Sequence, residues 1–383
     1  MNWLDTTRAL PSPCFVVDEN LLRANLELFD RVQQEAGVQV LLALKGFATY
    51  HVFPLVGRYL AGITASSLNE ARLGAEEMKK EVHLYSPAYR PDEIDTLLKL
   101  GSHITFNSLN EWRRYATKAQ EAGVSAGLRI NPEYSPVKTD LYNPCARGSR
   151  LGVRLEDLKQ SEVGQTEKLD GLHVHNLCES NHEALATTLE ILATKFDRYL
   201  KRASWLNLGG GHLMTSDNYD VNTAIASLKE IRGLFPHLKI YLEPGSAIAW
   251  RTGALVATVL DVVETSEYPV ALLDTSFATH MPDCLEMPYR PAIESELEEK
   301  SDGGVTYRLG GASCLAGDQV GLYHFPAPLE PGQRLIFLDM AHYTMVKTNT
   351  FNGVGLPAIA IIRESGKVEV VKQFDYDSFK SRL

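Results

Sequence analysis

Short apolar runs alternate with amphipathic stretches along the first 250 residues. Runs of strand character fall at Val38–Lys45, Ala61–Ser67, Val82–Pro87, His103–Ser108, Ala126–Pro132, Gly171–Cys178, Trp205–Gly211 and Lys239–Ser246. Between them, Leu68–Met78, Pro91–Leu100, Leu109–Ala122, His182–Leu200 and Asn222–Phe235 carry apolar residues at helical spacing. Strands that are apolar almost throughout are buried on both faces, which is the condition of a parallel sheet covered by helices. The number of units decides the architecture. Eight β/α units close into a (β/α)8 barrel, whereas open doubly wound sheets have fewer strands. Strand starts lie 21 to 23 residues apart through the first five units, leaving no room for insertions. One wide gap follows, from 132 to 171, and it holds the Pro/Gly/Tyr-rich stretch PEYSPVKTDLYNPCARGSRLG. A loop of that length inside a compact domain is usually functional.

Beyond residue 250 the rhythm changes. Leu255–Glu264, Pro269–Phe277, Val305–Gly311, Gln319–Phe325, Arg334–Met340, Ala358–Arg363 and Lys367–Phe374 read as strands, with no helical spacing between them. Ser12–Asp18 is a further strand ahead of the first barrel helix and is expected to pair with these. The pattern predicts a barrel over residues 20–250 and an all-β domain formed by residues 1–19 and 251–383.

Composition narrows the function classes. The chain has 383 residues, and 38 Lys+Arg against 48 Asp+Glu give a formal charge of −10. Phosphate backbones need clustered cations, so a nucleic-acid partner is not expected. No apolar run reaches the roughly 20 residues of a membrane-spanning helix, and the opening MNWLDTTRALPSPC lacks a secretory pattern. Five cysteines, odd in number and without a C-x-x-C, argue against disulfides and a thiolate zinc site. A cytoplasmic enzyme with no metal site is the expectation.

In a (β/α)8 barrel the chemistry lies at the C-terminal ends of the strands. Here those ends carry Lys45, Ser66-Ser67, Asn107, Asn131, His175-Asn176, Gly209-Gly210-Gly211 and Glu243. Taken singly each is ordinary: a strand-end lysine reaching water, a structural histidine, a tight turn, a capping carboxylate. Taken together they form a set. A lysine in a desolvated mouth is a nucleophile for carbonyl carbons, and successive glycine N–H groups ahead of a helix suit a phosphate. An amine, an anion nest and a carboxylate that keeps a pyridine nitrogen protonated are what pyridoxal 5'-phosphate requires.

The stretches LALKG (42–46), GLHVHN (171–176), LNLGGG (206–211), EPGSA (243–247), GASCLAGD (311–318) and YTMVKTNTFNG (343–353) resemble the fold type III pyridoxal-phosphate decarboxylases. That alanine racemase-like group includes the ornithine, arginine and diaminopimelate decarboxylases. LALKGF, HNLCE and SCLAGD are most similar to its branch acting on carboxynorspermidine and carboxyspermidine. The resemblance implies that Lys45 bonds the cofactor and that His175 stacks on its ring. It further implies that Glu243 meets the pyridine nitrogen, that Gly209, Gly210, Gly211 and Tyr343 hold the phosphate, and that Cys314 returns a proton to the α-carbon. It also implies a homodimer with shared active sites, the Cys314 loop reaching into the partner.

Departures from the group bear on substrate. Ser246 stands where ornithine and diaminopimelate decarboxylases have Arg, and Thr64 where ornithine decarboxylase has Asp. Where diaminopimelate decarboxylase grips a distal carboxylate with Arg, this chain reads THMPDCLEMPY (279–289). Asp283 and Glu286 there suit an ammonium tail, and charge-assisted hydrogen bonds of about 1.5–3 kcal/mol each would select it. His280, Asp283, Glu286 and Asp318, with Glu243, are the candidate substrate contacts. Three rivals stand beside this reading: a diaminopimelate or ornithine decarboxylase, a non-catalytic pyridoxal-phosphate carrier, and a cofactor-free barrel aldolase.

Overall fold

The computed structural model describes residues 3–163, 168–297 and 303–383. They divide into two compact units, Ala24–Ile248 and a second built from Met1–Arg23 with Ala249–Leu383. The first strand of the chain, β1 (Cys14–Asp18), belongs to the second unit.

The unit Ala24–Ile248 is a closed barrel. Its strands are β2 (Gln39–Ala43), β3 (Gly62–Ala65), β4 (Glu81–Tyr85), β5 (His103–Phe106), β6 (Ser125–Asn131), β8 (Gly171–His173), β9 (Trp205–Asn207) and β10 (Lys239–Leu242). All pair in parallel in the order β5-β4-β3-β2-β10-β9-β8-β6, and the β5–β6 pairing closes the ring. The two-residue β7 (Val153–Arg154) adds to β6 outside that ring, through Ile130 opposite Val153. The wide gap in the strand rhythm is thus partly ordered: it carries β7 and a helix over Leu155–Lys159. Barrel strands are buried almost throughout, as the unbroken apolar runs require.

Glycines make room inside the ring. Trp205 lies in the interior with Leu41 and Tyr241, its indole N–H donating to Ser125 Oγ at 2.9 Å. A Cβ on Gly171 would fall 1.9 Å from the indole and one on Gly127 2.2 Å from it. One large side chain therefore fixes two small ones on neighbouring strands.

The second unit is a mixed sheet of β1, β11 (Gly253–Val263), β12 (Val270–Leu273), β13 (Val305–Gly310), β14 (Gln319–Phe325), β15 (Arg334–Leu338), β16 (Ala358–Ile362) and β17 (Val368–Lys372). Its order is β14-β13-β12-β11-β1-β16-β17, with β15 also on β11. As expected from the sequence, Cys14–Asp18 pairs here: antiparallel to β11 and parallel to β16. The unit is not free of helices. Single turns occur at Phe277–His280, Asp283–Glu286 and Tyr343–Val346, and a longer one at Tyr376–Lys380. Their brevity is why no helical period shows in the sequence. No described helix is long and apolar enough to cross a membrane.

Candidate active site

Lys45 stands two residues past β2, where Gly46 packs so closely on the end of β10 that its Cβ would lie 2.8 Å from Gly245 Cα. That contact brings the lysine beside Glu243. Water reaches the lysine's surface, yet dense protein around it desolvates the ammonium and lowers its pKa. Glu243 opposes that shift and Arg129 reinforces it. Proton loss to the nucleophilic amine is thereby made easier than for an ordinary lysine.

Glu243 is buried, with both oxygens engaged. Asn207 Nδ2 donates to Oε1 at 2.7 Å, and His173 Nε2 lies 3.4 Å from Oε2. Burial alone would raise the carboxyl, but the contacts with His173 and Asn207 outweigh it and hold the pKa at about 2. A permanently ionised carboxylate in a dry wall is the partner a pyridinium needs. His175 is kept neutral by burial, with Lys45 and Arg129 adding to the effect. Its Nδ1 accepts from the Gly210 N–H at 3.0 Å, which leaves the proton on Nε2 and fixes the ring.

The glycine triplet does something different from a simple cradle. Gly209 N–H is spent on Asn207 Oδ1 at 2.8 Å and Gly210 N–H on His175. Its small size serves packing: a Cβ on Gly210 would lie 2.4 Å from the Glu243 carbonyl, and one on Gly211 2.2 Å from that of Leu177. A small cleft lies one step further on, lined by Gly211, His212, Leu213, Gly245, Ser246 and Ala247, with Glu179 at its side. His212 is buried there with neither ring nitrogen in a well-formed hydrogen bond. A desolvated lysine, an ionised carboxylate, a fixed neutral imidazole and an unsatisfied imidazole beside a small cleft together fit pyridoxal phosphate.

Four contributors escaped the sequence reading. His173 and Asn207 clamp Glu243. Arg129, buried on β6, donates through Nη2 to the His175 carbonyl at 2.8 Å and through Nη1 to Tyr85 Oη. Tyr85 passes the chain on to Asn107 Oδ1 at 3.0 Å. His173 and Asn207 lie two residues before His175 and Gly209, and Arg129 two before Asn131. Period-two alternation along each strand would have found them. His173, His175 and Glu243 also bring one ligand atom each within 4.8 Å of one another, as do Glu81, His83 and His103. In the first trio His175 Nδ1 already accepts from the Gly210 N–H, and both Glu243 oxygens meet side-chain nitrogens of His173 and Asn207.

The other expected residues gather in the sheet unit. Cys314 is exposed on the loop between β13 and β14, its N–H donating to Asn352 Oδ1 at 2.6 Å. Asp318 shapes that loop: Oδ2 accepts from Ser313 N–H and Oγ at 3.1 and 2.6 Å, and Oδ1 from Ala278 N–H at 3.0 Å. His280 is fully buried, Nδ1 lying 2.9 Å from Thr275 Oγ1 and 3.2 Å from Ser276 N. Burial lowers its pKa to about 4. Asp283 and Glu286 share one short helix, and both bind Lys347 Nζ. Tyr343 begins the turn Tyr343–Val346 and is partly buried.

Barrel, appended sheet and site residues together define a pyridoxal-phosphate enzyme of the decarboxylase type. Residues 14–341 match the family described as pyridoxal-dependent decarboxylase, C-terminal sheet domain, and the chain belongs to that family and is a decarboxylase. It is 54% identical to the carboxyaminopropylagmatine decarboxylase of Synechocystis sp., over 100% of this chain and 98% of the relative. It is 40% identical to the carboxynorspermidine/carboxyspermidine decarboxylase of Campylobacter jejuni, over 97% of this chain and 98% of the relative. The crystal structure of carboxynorspermidine decarboxylase from C. jejuni, complexed with norspermidine, superposes with a TM-score of 0.91 at 38% identity, covering 98% of this chain and 100% of that one. Diaminopimelate decarboxylase from Helicobacter pylori gives 0.82 at 18% identity, covering 100% and 99%, a likeness of fold alone.

Proposed function

We propose that this chain decarboxylates a carboxylated polyamine, carboxynorspermidine or carboxyspermidine, releasing norspermidine or spermidine. The observation that carries the reading is the pairing of a desolvated Lys45 with an ionised Glu243 at the mouth of one barrel. Pyridoxal phosphate, when bound, supplies the conjugated pyridinium that takes up the electron pair left by carbon dioxide. Lys45 Nζ would be the amine for its aldehyde and Glu243 the carboxylate for its ring nitrogen. His175 would serve its ring, and Gly211, Ser246 and Tyr343 would serve its phosphate with the Gly209–Gly210 turn behind them.

Cys314 Sγ is the proton donor to the α-carbon, on a loop held in shape by Asp318. Asp283 and Glu286 receive the tail cations. A homodimer that completes each barrel site with the partner's Cys314 loop belongs to this reading. Five free cysteines support a reducing, cytoplasmic setting, and the −10 charge supports a cationic substrate over nucleic acid.

One observation favours a second substrate: the 54% identical relative is named for a tail ending in a guanidino group. Carbon dioxide release by the purified protein, measured side by side, tests both. Carboxynorspermidine, carboxyspermidine and carboxyaminopropylagmatine are expected to outpace ornithine and diaminopimelate. Faster turnover of diaminopimelate would overturn the proposal. Turnover without visible cofactor absorbance would do so as well.

A further inference from the structure

Glu81, His83 and His103 gather at the opposite end of the barrel from Lys45 and Glu243. The barrel strands are all parallel, so their first residues share one end and their last residues the other. Glu81 opens β4 and His103 opens β5. Period two puts Glu81 and His83 on one face of β4, and the β4–β5 register sets His83 directly beside His103. The two imidazoles stack with centroids 4.0 Å apart. The His83 side chain is 4% exposed and that of Glu81 43%, so the group runs from the barrel interior out to water.

Three observations show these side chains prepared for an ion. His83 Nε2 lies 3.3 Å from Glu81 Oε2, and atoms bound at about 2.0–2.1 Å to a tetrahedral zinc stand about 3.3 Å from one another. Ser102 Oγ gives its one proton to the Val82 carbonyl at 3.3 Å and so accepts from His103 Nδ1 at 3.0 Å, which leaves a lone pair on His103 Nε2. An outer partner that fixes the tautomer is what orients a metal-bound histidine. Tyr241, on β10, sets its ring edge-on to both imidazoles, with centroids 4.6 and 5.5 Å away. Its buried hydroxyl finds no hydrogen-bond partner among the described residues. Lys168 and Lys239 stand against Asp170 and Glu81 around the group. Charge alone therefore draws no cation here, and the imidazoles decide which ion is held.

We propose that Glu81, His83 and His103 bind one divalent transition-metal ion of the zinc class, which ties β4 to β5 at the end of the barrel away from the cofactor residues. Two imidazoles and a carboxylate suit zinc, whereas magnesium and calcium take oxygen shells. The fourth position is open to water on the Glu81 side. No cysteine takes part, so the missing thiolate pattern has no bearing on this site. An ion that binds only the folded barrel stabilises it.

Full-length holoprotein without an affinity tag, freed of metal by a chelator, is titrated with zinc chloride by calorimetry, beside magnesium chloride. One zinc per chain is expected, with a higher urea midpoint in its presence and far weaker binding of magnesium. Changes to outer-shell partners alone cost roughly 10–100-fold in metal affinity. Glu81→Gln should therefore raise the zinc Kd by at least about tenfold and His103→Ala by about 100-fold or more, each removing the rise in midpoint. Decarboxylation without added zinc should be unchanged in Glu81→Gln. No zinc binding by the wild type would overturn the proposal. So would an unaltered Kd in Glu81→Gln, which would put the ion elsewhere, at His173, His175 and Glu243 or at a cysteine. Magnesium binding as tight as zinc would show the Glu81 charge acting without the imidazoles, and the proposal would fail equally. Should His103→Ala not fold, the half-exposed Glu81→Gln decides alone.

Discussion

Asn207 joins the turn to the carboxylate: its Nδ2 donates to Glu243 Oε1 at 2.7 Å while its Oδ1 accepts from the Gly209 N–H at 2.8 Å. One amide thus sets both the charge of the acid and the start of the glycine turn. A hydrogen bond to a charged group contributes about 1.5–3 kcal/mol. Asn207→Ala is expected to lower kcat/KM by roughly 10–100-fold and to move the acid limb of its pH profile upward. An unmoved acid limb would remove Asn207 from this role.

Glu243 also gives stability a pH signature. Its folded-state pKa of about 2 lies below the ordinary 4.5. The folded state therefore binds fewer protons than the unfolded chain between those values. Its contribution is complete above about pH 4.5 and is lost as pH falls toward about 2. Urea midpoints of the wild type should fall more steeply across that window than those of Glu243→Gln.

Lys45 is testable by colour. The holoprotein should absorb in the visible, and borohydride reduction followed by peptide mapping should place the cofactor on Lys45. Lys45→Ala should show no such band. Because the amine is desolvated, the rate of cofactor attachment should level off at a pH below that of an ordinary lysine. A rate still climbing to pH 10.5 would contradict the environment described for it.

Cys314→Ala should slow turnover by roughly 10²–10⁴-fold, the usual worth of a placed proton donor. Mixing Lys45→Ala with Cys314→Ala probes the proposed sharing of sites. Random reassortment makes half the dimers mixed, each with one intact site, so about a quarter of the wild-type activity should return. No recovery after verified subunit exchange would place Cys314 and Lys45 of each site in the same chain.

Packing around Trp205 yields a stability test. Gly171→Ala puts a Cβ 1.9 Å from the indole, and overpacking of this kind costs about 1–3 kcal/mol. Chemical denaturation measures the loss, and Trp205→Leu in the same background should recover part of it. Additive effects of the two changes would mean that the ring and the glycine do not compete for space.

Strands, their parallel arrangement and the detached Cys14–Asp18 were legible because burial on two faces leaves unbroken apolar runs. Lys45, His175 and Glu243 were legible because strand ends in such a barrel point to one mouth. The clamp on Glu243 is legible only one step further back, since His173 and Asn207 lie two residues before the strand ends and share their faces. Nor was the use of the Gly209 and Gly210 amides, which depends on side chains arriving from β8 and β9. Asp318 accepts from the Ser313 and Ala278 amides, contacts that no linear spacing reveals. The partnership of Lys347 with Asp283 and Glu286 joins segments 61 and 64 residues apart.

The position of β1 has a consequence for how the chain is made. Cys14 lies beside Val256 on one side and Ala358 on the other. The strand is synthesised well ahead of both, and Ala358 follows Cys14 by 344 residues (358 − 14). At roughly 5–20 residues per second, on the order of 20–70 s separate the two. Throughout that interval CFVVD, all five residues of which end up buried, has no finished sheet to enter. The barrel is continuous in sequence and can close first. Nascent chains stalled before residue 358 should therefore engage chaperones through Cys14–Asp18 rather than through the barrel.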